Sequence, residues 1–276
     1  MVVLMLVDPS FPRRITAWIL FLIMGGVLLP TGYPSSSSLA TTHPGMELII
    51  FVDFSGSIRK EDKKSFEQDL IKRVIPSLSA GDRILVAPIT EKTLTDFRPL
   101  IEVDFPPKPA FNGFMQNAMT YNRQVKEVEA EVARLKEELV AQVAAMLNQH
   151  FASPRTDIFN AVVLAQKLFS DEGKAKVLVL MSDMVEDSQP YNFYNLKWGP
   201  DTVEKLLGEL DAHGLIPDLS GVCLYVSGAS ADSAEMAHRI SNFWGVYFQR
   251  AKANMDPRRY AHVLLHWPPS KACPAG

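Results

Sequence analysis

The chain has 276 residues, 47% of them hydrophobic and 21% charged, with a formal charge of -3 and a pI of about 6.1. Length and apolar fraction suit one globular domain with a sizeable core, and the lack of a basic excess removes the electrostatic ground for a nucleic-acid partner. Two cysteines and six scattered histidines, with no CxxC or Cys/His spacing, give no zinc or haem site.

Arg13 and Arg14 precede an apolar run of fifteen residues, 15–29, and no Asp, Glu, Lys or Arg follows until Glu47. That is the pattern of an export signal. The run is shorter than the roughly 20 residues of a spanning helix, which favours a signal peptide over an uncleaved signal anchor. Ser38 and Ala40 offer the small residues that cleavage requires. In either case the positive flank stays inside and the rest of the chain is placed outside, so the expected location is exported: periplasmic, secreted, or membrane-anchored and facing outward. Any membrane contact is expected only through this segment, if it is uncleaved. The Ser, Thr and Pro-rich stretch 33–45 has nothing to bury and reads as a linker or mature N-terminal tail. The resulting partition is 1–40 signal, 41–45 linker, 46–267 folded domain and 268–276 tail.

Within the domain, short aliphatic strands are expected at 48–52, 84–89, 177–182 and 222–227, with near-continuous apolarity that fits burial on both faces of a parallel sheet. Residues 100–105 alternate between prolines and suit an edge strand. Helices fit between, at 60–78, 157–169, 202–213 and 231–248. Strands alternating with helices predict an α/β fold, a doubly wound, mostly parallel sheet with helices on both faces. Residues 111–151 add one long helical pattern. Val125, Val128, Val132, Leu135, Leu139, Val143 and Met146 form a narrow apolar stripe opposite a charged face on which Arg134 meets Glu131 and Glu138. The stripe fits a helix laid on the domain, or a coiled-coil-like partner surface. In the loop 186–200, Tyr191, Phe193, Tyr194 and Trp198 are either binding aromatics at a rim or residues folded back onto the core. Cys223 reads as a small core hydrophobe rather than half of a disulfide with Cys273. The run after Tyr260 is a further candidate edge strand.

The first strand empties directly into Asp53, Phe54, Ser55, Gly56 and Ser57. A carboxylate and two hydroxyls on alternate residues of a turn can supply one side of an octahedral oxygen shell for a hard cation. Thr156, opening a helix, and Asp183, ending a strand, carry matching chemistry. Asp53 and Asp183 both fall at carboxyl ends of strands, where open α/β sheets bind ligands. Each residue alone could be an ordinary helix cap or turn residue, and Asp157 reads as charge at a helix N-terminus.

Taken together, Asp53, Ser55, Ser57, Thr156 and Asp183 resemble the metal-ion-dependent adhesion site of von Willebrand factor A domains, in a match covering roughly residues 46–250. That family has DxSxS in its first loop, a Thr in the second and an Asp ending a later strand. The resemblance implies Ser55, Ser57 and Thr156 as direct ligands of a divalent cation, Mg²⁺ with Mn²⁺ or Ca²⁺ as alternatives. It implies Asp53 as ligand or water holder and Asp183 as an outer or exchangeable ligand. A protein partner presenting an Asp or Glu completes the sphere. Many relatives have Gly after the third-loop Asp, where this chain has Met184.

The function so implied is a non-enzymatic, metal-dependent adhesion or scaffold module. Two alternatives stand beside it: a metal-dependent hydrolase or phosphoryl-transfer enzyme, and a scaffold with a vestigial site that acts through its long helix. The enzyme reading lacks a histidine near the three loops and any GxxxxGK[ST], GxSxG or HExxH motif.

Overall fold

The computed structural model describes residues 45–111, 113, 117–149, 153–170 and 173–269. The expectations for 1–40, for most of the linker and for 270–276 lie outside them. Among the described residues no helix is long and apolar enough to cross a membrane.

The domain is built on a six-stranded sheet: β1 (Met46–Asp53), β2 (Arg83–Ile89), β3 (Ile101–Asp104), β4 (Ala175–Met181), β5 (Val222–Ser227) and β6 (Tyr260–Ala261). Their order is β3-β2-β1-β4-β5-β6, and every pairing is parallel except the antiparallel edge strand β3. The chain therefore leaves β1 in one direction to form β2 and β3, then returns to the other side of β1 to form β4. The topological switch point lies between β1 and β4. The run after Tyr260 does supply an edge strand, of two residues.

Alternation along the strands divides the core. Ile49, Phe51, Leu178, Leu180, Leu224 and Val226 face α4 (Ile158–Leu168), α5 (Thr202–Ala212) and α6 (Ala234–Arg250). On the opposite face Leu48, Ile50, Val52, Val177, Val179 and Met181 meet α1 (Lys60–Asp69), the short α2 (Ile75–Ser77) and α3 (Ala118–Leu147). Both faces are covered, which explains why the strands are apolar without a break.

Three expectations change. The helix expected over 60–78 passes through a π-helical turn, Leu70–Val74, between α1 and α2. Beside that turn Asp69 is buried, its carboxylate accepting hydrogen bonds from Ser227 Oγ, Leu264 N and Arg73 Nη1, each at 2.7 Å. Next, α3 is shorter than 111–151. Asn117 caps it by accepting from Met119 N at 2.9 Å. Its C-terminal half, through Leu139, Val143, Met146 and Leu147, is part of the core, while Met119 near its start is 79% exposed. The stripe is therefore chiefly a packing face. Arg134 pairs with both Glu131 and Glu138 as the spacing predicts. Finally, Cys223 is buried but disulfide-bonded, which corrects its reading as an unpaired core residue. The chain's other cysteine, Cys273, falls outside the described residues.

Candidate metal centre

The five predicted residues lie on the loops at the carboxyl end of the sheet: Ser55, Ser57 and Thr156 line one pocket, Asp183 lines an adjoining one with Ser57, and Asp53 is buried at the end of β1. Asp53 is the last residue of β1 and fully buried. One carboxylate oxygen accepts from Ser55 N at 2.8 Å, folding the chain into a tight turn, and the other accepts from Ser182 Oγ at 2.7 Å, across from the end of β4. That turn brings Ser55 Oγ within 2.9 Å of Ser57 Oγ. Ser55 is buried and Ser57 is open to solvent.

The second loop is stitched to the first and the third. A bridge pairs Ser55 with Ser153, with Ser153 N donating to Phe54 O at 3.3 Å. Thr156 and Asp187 exchange backbone hydrogen bonds, Thr156 N to Asp187 O at 3.2 Å and Asp187 N to Thr156 O at 2.9 Å. Thr156 is 2% exposed, and among the described residues no hydrogen bond engages its hydroxyl. Asp157 caps α4 by accepting from Asn160 N at 3.1 Å, as expected for charge at a helix N-terminus.

Asp183 lies just past β4, its carboxylate accepting from Val185 N at 2.9 Å, and it lines one depression with Ser57. Met184 follows with φ 66°, the left-handed conformation that glycine adopts freely. Its side chain is fully buried, its N–H donates to Ser182 Oγ at 3.0 Å, and its carbonyl accepts from Trp244 Nε1 at 2.8 Å. The backbone turn that Gly makes in the resembled family is thus made here by Met, held in place by packing.

Electrostatics set this cluster apart from three ordinary caps. Burial pushes the Asp53 carboxyl up to about 7, and the Asp183 charge pushes the same way. Asp183 is itself raised, first by burial and then by Asp62 and Asp232. Neither carboxylate has an ion-pair partner among the described residues. Arg59, which feels the Asp183 charge, is committed to Asp62 at 3.1 Å. Two buried, unneutralised carboxylates beside three hydroxyls fit a hard divalent cation in donor type and in charge. Among the described residues no group of three or more His, Cys, Asp or Glu forms a metal cluster, so this hydroxyl-rich set stands by itself. A pocket of about 280 Å³ is lined by Ser55, Gly56, Ser57, Thr156, Asp187 and Tyr194.

Sequence reasoning missed three supporting residues, Ser182, Glu186 and Gly228. Ser182 holds Asp53. Glu186, fully buried, accepts from Ile158 N at 2.8 Å and Phe159 N at 3.3 Å, so the third loop caps the helix that follows Thr156. Gly228, at φ 102°, lets the end of β5 press behind the site; a Cβ there would lie 2.7 Å from the Phe66 ring and 2.9 Å from Ser182 O. Tyr194, one of the loop aromatics expected either at a rim or folded inward, is 49% exposed and lines the pocket with Ser57 and Thr156, and desolvation raises its hydroxyl to about 12. The other loop aromatics fold inward: Tyr191 and Phe193 are buried against Phe159, and Trp198 packs on Phe193. Only chain-distant partners distinguish these residues, so no local pattern in the sequence marks them.

No protein-family model matches the chain, and no curated protein matches it. Among solved structures, it is similar to proximal thread matrix protein 1 from the mussel byssus, at 12% identity over 79% of this chain and 43% of that one, TM-score 0.39. It is also similar to the conserved hypothetical protein BatB from Bacteroides thetaiotaomicron, at 12% identity over 72% and 86% of the two chains, TM-score 0.35. An aerotolerance-related membrane protein from Bacteroides fragilis matches at 14% identity over 73% and 89%, TM-score 0.31. The chain spans less than half the length of the byssus protein.

Proposed function

We propose that this chain is a von Willebrand factor A-like module that binds a divalent cation, Mg²⁺ foremost, and through it an acidic residue of a partner protein. It acts by binding rather than by catalysis. The observation that carries the reading is the grouping of Ser55, Ser57 and Thr156 around one pocket, with Asp183 and Ser57 lining the next and Asp53 bonded to Ser55 N, both carboxylates being buried and without a cationic partner among the described residues. Ser55, Ser57 and Thr156 are the direct ligands, Asp53 a ligand or water holder, and Asp183 an outer or exchangeable one. Two carboxylates against a divalent ion leave no excess negative charge, so a partner carboxylate is attracted rather than repelled. Export is supported by the charged and apolar N-terminal pattern and by the disulfide at Cys223, a bond that persists in oxidising compartments.

The test is calorimetric titration of Mg²⁺ and Mn²⁺ into the wild type, Asp53→Ala and Ser55→Ala. Saturable one-site binding lost in both variants is the expected result. Equal heats in all three proteins would rule out this grouping as the cation site.

A further inference from the structure

A second depression opens from the same loop. It has a volume of about 840 Å³ and lies between α1 and the C-terminal end of α3. Ser55 and Gly56 line both this groove and the pocket shared by Ser55, Ser57 and Thr156, so the two adjoin across the first loop. Its floor is apolar, made by Phe54, Ile58 and Leu147, all buried. Nothing lies within 4 Å of where a Cβ of Gly56 would sit, so the threshold between pocket and groove is open to an approaching chain.

The wall carries Lys60, Lys63 and Lys64 against Glu61 and Glu67, an excess of positive charge. None of the three lysines forms an ion pair among the described residues, and Lys63 Nζ is held over the groove 5.8 Å from the centre of the Phe54 ring. A divalent ion balanced by Asp53 and Asp183 adds no negative field, so the rim of the site is net positive from Arg59 through Lys64. Lys60 to Lys64 is one helical turn, ~6 Å, the length of two residues of extended chain at ~3.3 Å each.

We infer that the groove between α1 and α3 receives a short acidic segment of the protein partner, running from the carboxylate on the ion to further carboxylates opposite Lys60, Lys63 and Lys64. The inference rests on the cation reading above and adds the chemistry of the partner. The groove exists only because α3 is present to form its second wall, which gives the long helix a role in recognition as well as in packing.

The probe is a fluorescein-labelled peptide carrying consecutive Asp residues between Gly-Ser flanks, with a control in which all but one Asp are Asn. Anisotropy is read with the full chain in mild detergent, in Mg²⁺ and in EDTA, for the wild type, Ser55→Ala and the triple variant Lys60→Gln, Lys63→Gln, Lys64→Gln. All three lysines are on the surface of α1, so thermal unfolding of the variant is expected to match the wild type. In Mg²⁺ the multi-Asp peptide is expected to bind the wild type about tenfold more tightly than the control, a margin that added salt screens and the triple variant abolishes. Both peptides should be released by EDTA and by Ser55→Ala. A margin unchanged in the triple variant overturns the groove while leaving the cation reading intact. Lysine-dependent binding that ignores EDTA and Ser55→Ala keeps an acidic-segment groove but detaches it from the ion, and overturns the cation reading. Binding of neither peptide overturns the inference.

Discussion

In the proposed cation site, Asp53 would serve binding at a cost to folding. Its carboxyl is raised from 3.8 to about 7, so between those values the folded chain holds a proton that the unfolded chain has released. Stability of the metal-free protein therefore falls as pH rises from about 4 to about 7, the reverse of a salt-bridged aspartate. Glu186, pushed well up by burial, adds to the same slope. A divalent cation takes the ionised form, so the stabilisation it brings grows over the same interval. Urea midpoints across this range, in EDTA and in Mg²⁺, are expected to converge in acid and diverge toward neutrality, with Asp53→Asn losing part of the EDTA slope. A flat EDTA profile would contradict the burial argument. Met184 poses the opposite trade. Replacing it by Gly relieves about 1–2 kcal/mol of left-handed strain but empties a fully buried site, where removing such a side chain costs about 2–5 kcal/mol. The expected net loss for Met184→Gly is about 2 kcal/mol in urea unfolding, and a more stable variant would show that packing does not hold this turn.

The elements differ in how openly the sequence announces them. Strands buried on two faces must be apolar throughout, and a turn that offers three oxygen donors must spell them in adjacent positions, so β1 and its DFSGS loop were legible together. Thr156 and Asp183 were legible because each sits where an apolar run begins or ends. The loop 186–200 was not, since Tyr191, Phe193 and Trp198 point inward while Tyr194 does not, and nothing local separates them. Nor did the sequence show that Glu186 caps α4, or that Asp69 ties the π turn to β5 and Leu264, because those contacts join segments far apart in the chain. Cys223 was misread for the same reason. The α4 cap carries its own prediction. Glu186→Ala strips two N–H groups of a buried acceptor and should cost about 2–3 kcal/mol, while loosening Thr156 enough to weaken Mg²⁺ binding about tenfold. Glu186→Gln keeps an acceptor for both groups and should retain most of that affinity in the same titration. Equal Mg²⁺ affinity in the Ala variant would free Thr156 from dependence on this cap.

At the scale of the whole domain, the position of the site follows from topology. Where the chain turns back between β1 and β4, the loops after the two strands diverge to opposite faces of the sheet and leave a crevice. Asp53 and Asp183 end or follow those two central strands, and β1 and β4 pair along their whole length, from Met46 and Ala175 to Val52 and Met181. An ion held between their ends therefore reports on the part of the sheet that both core faces bury. Binding should stabilise the domain as one cooperative unit rather than merely ordering loops. At about a hundred times the dissociation constant, a ligand specific to the folded state adds about 2.7 kcal/mol, and each kcal/mol raises the melting temperature of a domain this size by about 2–4 °C. Saturating Mg²⁺ is thus expected to move a single calorimetric transition upward by about 5–10 °C without broadening it. Ser55→Ala should melt within a few degrees of the metal-free wild type, since it removes a hydroxyl whose bond to Ser57 is only partly buried, yet show almost no shift with Mg²⁺. An equal shift in that variant would trace the stabilisation to ions bound elsewhere, whereas a transition that splits in two would show the ion anchoring the loops without engaging the central strands.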